Sequence, residues 1–373
     1  PIDVKCPVLQ RMTDMIAHRG PDSEGHYIDE HAALGHRRLS IIDLGGGQQP
    51  IYNEDGSKVI TFNGEIYNYQ TLREELIAAG HTFTTKSDTE VLLHGYEQWG
   101  VDLLQRVRGM FTFVIWDKNK QELFGARDHF GIKPFYYAKM NGTFMYASEI
   151  KSLLRHPDFV KELNAEALKP YMTFQYPAIG ETFFKGVYKL PEGHYFTYRD
   201  GKMDIHRYYD EDFREGKQKL GELVNSIDQT VCDSVKAHQI ADVEVGSFLS
   251  SGVDSSYVAA VARPQHTYSI GFGKGTYNES QQAGELAELL KLNNTAESLT
   301  DEEAFAAFPR IQWHLDEPDS NPSCVPLYFL SALAAKDVKV VLSGEGADEL
   351  FAGYIDYGVH TKFKPIKVVT RWL

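Results

Sequence analysis

Cysteine is scarce in this chain. The three present, Cys6, Cys232 and Cys324, are odd in number, far apart and without metal-binding spacing. That usage excludes a disulfide framework and suits reduced thiols in a cytoplasmic protein. Long apolar runs are missing too. No stretch approaches the ~20 residues of a membrane helix, and the first residues lack the apolar core of a signal peptide. Positive charge is in deficit, with 38 Lys and Arg against 52 Asp and Glu and a formal net charge of −14. Such a balance argues against nucleic-acid or membrane partners, although a few local donors suffice to hold an anionic substrate. There is no polar tract of the disordered kind, no internal repeat and no low-complexity segment.

What is present is apolar material for two cores, 42% of 373 residues, in a chain too long for one. Residues 1–155 mix short strands with two helical stretches. Asn141-Gly142 between two aromatic-rich runs signals a type I′ hairpin, and a second hairpin joins 111–116 to 122–127. Helices are expected over 69–79 and 88–99, the latter entered by Ser87-Asp88-Thr89-Glu90 with cap chemistry. This part reads as α+β with largely antiparallel sheets. Residues 156–215 carry four prolines and many aromatics and read as a packed connector. From 216 the pattern changes. Leu220, Val224, Ile227, Val231 and Val235 mark one face of a helix, after which apolar strands (243–249, 266–272, 338–342) alternate with helices. That alternation implies an α/β doubly wound parallel sheet over 216–373.

Two strand ends carry chemistry. Leu249-Ser250-Ser251-Gly252-Val253-Asp254-Ser255-Ser256 lies between a buried strand and a helix. A small-residue turn there offers backbone N–H groups and a helix N-terminus to phosphate, and Asp254 could hold Mg²⁺. No Gly-Lys-Ser/Thr of the Walker type accompanies it, so γ-phosphoryl transfer is not the indicated chemistry. The bland alternative is a turn that uses Ser and Asp as caps. The second strand end is Ser343-Gly344-Glu345-Gly346-Ala347-Asp348-Glu349, and two such loops facing one crevice make a nucleotide site.

The first loop resembles the Ser-Gly-Gly-x-Asp-Ser loop of ATP-pyrophosphatases. Ser251 stands where that loop usually has glycine, so this position must avoid positive φ. The N-terminal half contains His18-Arg19-Gly20-Pro21-Asp22, Arg38-Leu39-Ser40-Ile41-Ile42-Asp43, Phe62-Asn63-Gly64-Glu65-Ile66-Tyr67-Asn68, Ser87-Asp88-Thr89-Glu90 and Arg127-Asp128-His129-Phe130-Gly131-Ile132-Lys133-Pro134. That ordered series, followed by the two loops, resembles the glutamine-hydrolysing asparagine synthetase family over essentially the whole chain.

The resemblance implies an N-terminal-nucleophile glutaminase with an αββα sandwich over 1–155. Arg38 would hold the glutamine α-carboxylate, with Leu39, Ile41 and Ile42 beside it, and Glu65 and Asp88 would take the α-ammonium. Asn63 and the backbone N–H of Gly64 would form the oxyanion hole. In the synthetase part it implies ATP contacts from Leu249, Ser250, Ser251, Gly252, Asp254, Ser255, Ile270, Ser343 and Gly344. Asp254 and Asp348 would bind Mg²⁺, and Glu345 would support formation of a β-aspartyl adenylate. Ammonia from glutamine would pass through an internal channel and displace AMP to give asparagine. The family's nucleophile is a cysteine at the mature N-terminus. Pro1 cannot serve and Cys6 reads as a surface or packing thiol, so the expectation is a chain that begins after a native Cys-Gly start and stops, at Arg371-Trp372-Leu373, before the aspartate pocket is complete. A homodimer is compatible with this reading. Two alternatives stay open from sequence: a β-lactam synthetase-like ligase with a disused glutaminase, and a non-catalytic glutamine- or nucleotide-binding module.

Overall fold

Asn141 and Gly142 take φ of 50° and 82°, the left-handed pair that a two-residue type I′ turn requires, and the chain reverses there. This is one of several hairpins in a computed structural model that describes residues 2–212, 214, 216–272, 279–355 and 357. Both chain ends discussed above, Pro1 and Arg371-Trp372-Leu373, lie outside the described residues. Two units are distinguished. The first comprises Pro1–Glu222 with Ile240–Asp242 and Pro309–Asn321; the second comprises Leu223–Gln239, Val243–Phe308 and Pro322–Leu373.

The first unit runs α1 (Ile2–Asp14), β1 (Ser23–Ile28), β2 (Ala33–Arg38), β3 (Ile51–Tyr52), β4 (Lys58–Ile66), α2 (Tyr69–Ala78) and α3 (Asp88–Trp99). It continues with β5 (Gly109–Asp117), β6 (Glu122–Arg127), β7 (Tyr136–Met140), β8 (Thr143–Ala147), α4 (Ile150–Leu153), α5 (Leu168–Phe174), β9 (Val187–Lys189), β10 (His194–Arg199) and β11 (Lys202–Arg207). Strand periodicity sorts the side chains into layers. On β4 and β5, Ile60, Phe62, Ile66, Phe111, Phe113 and Ile115 face α2 and α3, meeting Leu72, Leu76, Leu92 and Leu93. The alternate residues Val59, Val114 and Trp116 point the other way, onto Tyr27, Leu34, Phe135 and Phe196. A third cluster joins Val8 and Met12 of α1 and Ile150 and Leu153 of α4 to Ala138, Met145 and Val187. Helices, sheet, sheet and helices therefore stack as αββα, with antiparallel pairing throughout the named strands.

The stretch 156–215, which reads from sequence as a connector, contributes strands to both of the larger sheets. The six-stranded order is β11-β10-β6-β5-β4-β3, and β9 pairs with β7 in the order β8-β7-β9. Its prolines and glycines mask strands of three and six residues, and β11 is mostly exposed at the sheet edge, so no apolar alternation marks it.

The second unit has α6 (Leu220–Ala237), β12 (Val245–Phe248), α7 (Val253–Ala262), β13 (His266–Phe272), α8 (Glu279–Leu290), β14 (Asn293–Leu299), α9 (Asp301–Leu315), α10 (Cys324–Ala334), β15 (Val340–Leu342) and α11 (Ala347–Phe351). All pairings are parallel and the order is β14-β13-β12-β15. Leu249 packs with Ala259, Ala283 and Ala287, whereas its neighbour Phe248 packs on the cluster of Tyr268, Leu333 and Val338. Successive residues thus feed opposite faces, as a doubly wound sheet requires. Strand β14 and helix α9 went unread in the sequence: polar side chains dominate β14, and α9 carries Pro309 in its interior. The stripe on α6 packs only in its second half. Val231 and Val235 join Ala262 and Leu342, while Leu220 is 78% exposed and Val224 53%.

Leu92 is fully buried at the centre of α3, against the six-stranded sheet. Leu92→Ala should destabilise the first unit by about 2–5 kcal/mol, read as an earlier first transition in urea denaturation. A change below 1 kcal/mol would mean that α3 does not supply this layer.

Candidate active site

The polar signal in the first unit is a defect in strand periodicity. Along β4, the inter-sheet face begins apolar at Val59 and then presents Thr61, Asn63 and Glu65, three polar groups where a core should continue. Thr61 Oγ1 reaches Tyr146 OH at 3.1 Å across the layer. Around this polar end lies a cavity of ≈ 250 Å³, whose wall includes Arg38, Leu39, Ile41, Ile42, Asn63, Gly64, Glu65 and Asp88. All eight residues assigned to glutamine from sequence are therefore gathered around one space.

Each is held for a physical reason. Arg38 ends β2 and is 6% exposed. Its Nη2 donates to the carbonyls of Ile42 at 2.9 Å and Asp43 at 2.7 Å, which fixes the guanidinium and leaves the rest of its donor fork for a ligand. Burial lowers its pKa, opposed by the charges of Asp43, Asp88 and Asp22. Gly47 is required beside it, since a Cβ there would stand 2.6 Å from Nη2. The strand end is braced by the His18–Asp22 stretch. Ser40 N–H donates to Asp22 Oδ2 at 2.8 Å, and a Cβ on Gly20 would meet the backbone of Arg37 at 2.2 Å.

Gly64 pairs with Phe111 in the ladder between β4 and β5. A Cβ on it would lie 2.1 Å from the Met110 carbonyl oxygen, so only glycine fits. Next to it, Asn63 Nδ2 is buried with no hydrogen-bond partner among the described residues. A buried amide donor left unmade costs ~1–3 kcal/mol, so an aimed donor at a cavity wall is a ligand-seeking group.

Glu65 and Asp88 supply negative charge. Burial pushes Glu65 up to about 7; Lys133 opposes that shift and Asp88 adds to it. Burial also raises Asp88 to about 6, against hydrogen bonds from Ile66 N–H, Thr89 N–H and Ser87. Asp88 begins α3, whose N-cap is Ser87, with Oγ accepting from Thr89 N–H at 3.1 Å. Glu90 does not close a capping box. It turns back to accept from the N–H and hydroxyl groups of Thr84 and Thr85.

Sequence reasoning quoted the Arg127–Pro134 stretch without a role for it. Asp128, 1% exposed, accepts from the N–H groups of Phe111, Phe130, Ile132 and Lys133, and Arg127 Nε donates to the Lys133 carbonyl at 2.8 Å. The loop is a bracket that sets Lys133 into the cavity wall beside Glu65. Arg19, Gln49 and Tyr146 also line the cavity and were missed. Only Tyr146, on the inter-sheet face of β8, carries a periodicity signal; Arg19 lies in a 3-10 turn and Gln49 in a loop. Among the described residues no cysteine lines it, and Cys6 is exposed on α1.

In the second unit the chain leaves β12 for β13 and β14 on one side and returns to β15 on the other, so β12/β15 is the point where strand order reverses. Crevices at such points bind ligands. The loops after these two strands are the ones singled out from sequence. Ser250 Oγ and Ser255 Oγ lie 2.8 Å apart, Ser250 N–H donates to Ser255 Oγ, and Gly252 N–H donates to Ser250 Oγ. Ser251 does not take positive φ, so its side chain is tolerated. A Cβ on Gly344 would lie 2.8 Å from Ser255 N and 2.9 Å from Asp254 Cβ, so the second loop touches the first. Glu345 N–H donates to Ser343 Oγ at 3.3 Å, and Asp348 follows at the start of α11. Leu249 stands apart: it is 2% exposed in the core under the loop, with N–H bonded to the Tyr268 carbonyl and its own carbonyl bonded to Ser269 Oγ. Ile270 is half-buried near the end of β13.

The raised pKa of Glu65 has a stability consequence. Its folded value, about 7, exceeds the ordinary carboxylate value, so the folded state binds the extra proton. The stabilisation is complete below the ordinary carboxylate range and is lost as pH rises through about 7. Glu65→Gln should therefore raise the Tm at pH 8, by an amount corresponding to roughly 2–3 kcal/mol, and leave it nearly unchanged at pH 4.5. Differential scanning calorimetry without ligand checks this. A gain that is equal at both pH values would contradict it.

Comparison with known proteins agrees with this division. Residues 2–209 match the glutamine amidotransferase domain family and residues 226–366 the asparagine synthase family. The chain is 45% identical to asparagine synthetase [glutamine-hydrolyzing] 1 of Bacillus subtilis over 98% of its length. It is 40% identical to a putative asparagine synthetase of Mycobacterium tuberculosis over 97%, and 34% identical to one of Methanocaldococcus jannaschii over 94%. It spans 58%, 59% and 73% of those three proteins. The amidotransferase match covers more than half of the chain and the archaeal relative is spanned over nearly three quarters, so the chain belongs to the glutamine-hydrolysing asparagine synthetase family.

Proposed function

We propose that the first unit binds L-glutamine and positions its side-chain amide for hydrolysis to glutamate and ammonia, and that the second unit activates aspartate with ATP for amidation by that ammonia. One observation carries the first half. A cavity wall combines a pinned guanidinium, a pair of buried carboxylates and an unpartnered buried amide donor, which is the complement of an α-amino acid bearing a terminal carbonyl. Arg38 takes the α-carboxylate in a charge-assisted contact, with Leu39, Ile41 and Ile42 walling the site. Glu65 and Asp88 take the α-ammonium, which draws both toward the ionised form. Asn63 Nδ2 and Gly64 N–H stabilise the oxyanion of the tetrahedral intermediate, each donor worth a few kcal/mol in such sites. The attacking group of this chemistry is a thiolate, which the described cavity residues do not include.

For the second half, the support is two mutually touching loops at the reversal point of a parallel sheet. Ser250, Ser251, Gly252 and Ser255 offer hydroxyl and N–H donors to the phosphates, with Ser343 and Gly344 opposite and Ile270 beside the base. Leu249, being buried, acts through the loop it underlies. Asp254 and Asp348, in the first turns of α7 and α11, would hold Mg²⁺, which would neutralise phosphate charge there. Glu345 supports formation of the β-aspartyl adenylate. Adenylation is required because a carboxylate is a poor electrophile and AMP a good leaving group. No nucleic-acid or membrane partner enters this reading, and a homodimer in the cytoplasm is compatible with it. No described helix is long and apolar enough to cross a membrane.

Two measurements test the two halves separately. Isothermal titration should show L-glutamine binding to the chain, weakened at least tenfold by Arg38→Ala, since loss of a desolvated charged partner costs on the order of 2–5 kcal/mol. Equal affinity in the variant would place the carboxylate elsewhere. With aspartate, ATP, Mg²⁺ and ammonia, a chain extended to its relatives' full length should give AMP and pyrophosphate by chromatography, and Asp254→Ala should remove them without altering glutamine binding. ADP and orthophosphate as products would overturn the ATP reading.

A further inference from the structure

Two turns along α3 from Asp88, four side chains from three segments converge outside the amide cavity. Glu54 lies in the turn between β3 and β4, His81 on the connection after α2, and His94 and Glu97 on α3 at i, i+3 spacing, which shares a face. One ligand atom from each lies within 4.8 Å of all the others. His94 Nδ1 is 3.1 Å from Glu97 Oε2 and 3.5 Å from Glu54 Oε2. His81 Nδ1 is 3.7 Å from Glu54 Oε1 and 4.0 Å from Glu97 Oε2. In a tetrahedral shell with bonds of ~2.0–2.2 Å, neighbouring ligand atoms stand ~3.3–3.6 Å apart. The four separations, from 3.1 to 4.0 Å, lie near that edge length, and one atom from each residue closes within 4.8 Å.

Behind the first ring, His81 Nε2 lies 3.2 Å from Gln98 Oε1, an acceptor that favours the proton on Nε2 and turns the Nδ1 lone pair toward the cluster, as found behind metal-bound histidines. Behind the second, His94 Nε2 is buried without a hydrogen-bond partner among the described residues, with the carboxylate of the buried Glu90 3.5 Å away. Glu97 Oε1 accepts from Asn53 Nδ2 at 2.7 Å and faces Lys58 Nζ at 3.4 Å, which leaves Oε2 for the cluster. The side chain of His94 is fully buried and its ring meets Phe83 edge-on at 4.7 Å, while Glu54, 39% exposed, keeps the other side open to solvent. Two imidazoles and two carboxylates suit a late first-row divalent cation better than Mg²⁺ or Ca²⁺, which take oxygen.

We propose that Glu54, His81, His94 and Glu97 form a binding site for a divalent cation of the Zn²⁺ class, a structural staple between the β3–β4 turn, the α2–α3 connection and α3. The site does not depend on the glutamine or ATP reading. Its competing occupant is a proton on His94, shared with the same carboxylates. The test uses the whole chain stripped with EDTA. Titration calorimetry should show one Zn²⁺ bound at micromolar affinity or better, with a rise in Tm. Co²⁺ in its place should give the intense visible bands of a tetrahedral ion. Glu54→Gln, on the open side, and His81→Asn, partly buried, should each weaken binding at least tenfold, and Glu54→Gln should leave the metal-free Tm nearly unchanged. His94→Asn should abolish binding, but the conclusion does not rest on it because that ring is in the core. Absence of Zn²⁺ binding would overturn the proposal. So would binding that survives both of these variants, or Co²⁺ spectra with thiolate charge-transfer bands, which would assign the ion to cysteine.

Discussion

The antiparallel ladder between β4 and β5 is the constraint on which the first unit depends. Nine residue pairs run from Lys58↔Asp117 to Ile66↔Gly109, and this register decides which side chain enters which layer. A slip of one residue would exchange the helix-facing set with the inter-sheet set and turn Asn63 and Glu65 away from the cavity. The register is enforced at the functional end by two glycines. A Cβ on Gly109 would come within 2.2 Å of the Glu65 carbonyl oxygen, as one on Gly64 would meet Met110. The strands can close there only without side chains, and that closure brings the Gly64 main chain to the cavity wall.

Around that ladder, charge is placed by brackets more than by secondary structure. The Asp128 carboxylate gathers four backbone N–H groups and thereby sets Lys133 beside Glu65. Two carbonyls pin Arg38, and Ser87 caps the helix that begins with Asp88. Lys133, Arg38 and Asp88 are thus each placed by hydrogen bonds from neighbouring loop or cap residues. This is how a site keeps two raised carboxylates near a buried guanidinium without collapsing into internal ion pairs. The second unit places two small-residue loops at neighbouring strand ends and holds them with serine hydroxyls, Ser250 and Ser255 in the first and Ser343 in the second.

Much of this was legible because it depends on local rules. Asn141-Gly142, the cap at Ser87, the 88–99 helix and the strand at 266–272 follow from turn chemistry and periodicity, and the structure returns them with the same or nearly the same bounds. The glutamine-cavity residues were named from a family resemblance, and the structure shows eight of them around one space. Other parts were not legible. Strands β9 to β11 lie in a stretch rich in prolines and aromatics, and β11 at the sheet edge carries no apolar alternation. The exposed first half of α6 has the same amphipathic pattern as its packed half, so pattern alone could not separate them.

The sequence by itself determined the local conformations, the two fold classes and the inventory of polar groups, because these are set by neighbours three or four residues apart. Only the tertiary structure decided which polar groups meet. Asn63 is a ligand-seeking donor because the opposing layer leaves its Nδ2 without a partner, and Lys133 is a cavity residue because Asp128 folds its loop inward. Leu249 is core and not crevice because α7 and α8 close over it. Glu54, His81, His94 and Glu97, spread over 44 positions, become neighbours through the packing of α3 beside α2 and the β3–β4 turn. Electrostatics and ligation act through space over a few ångströms, and that distance is set by packing between segments whose separation along the chain carries no record of it.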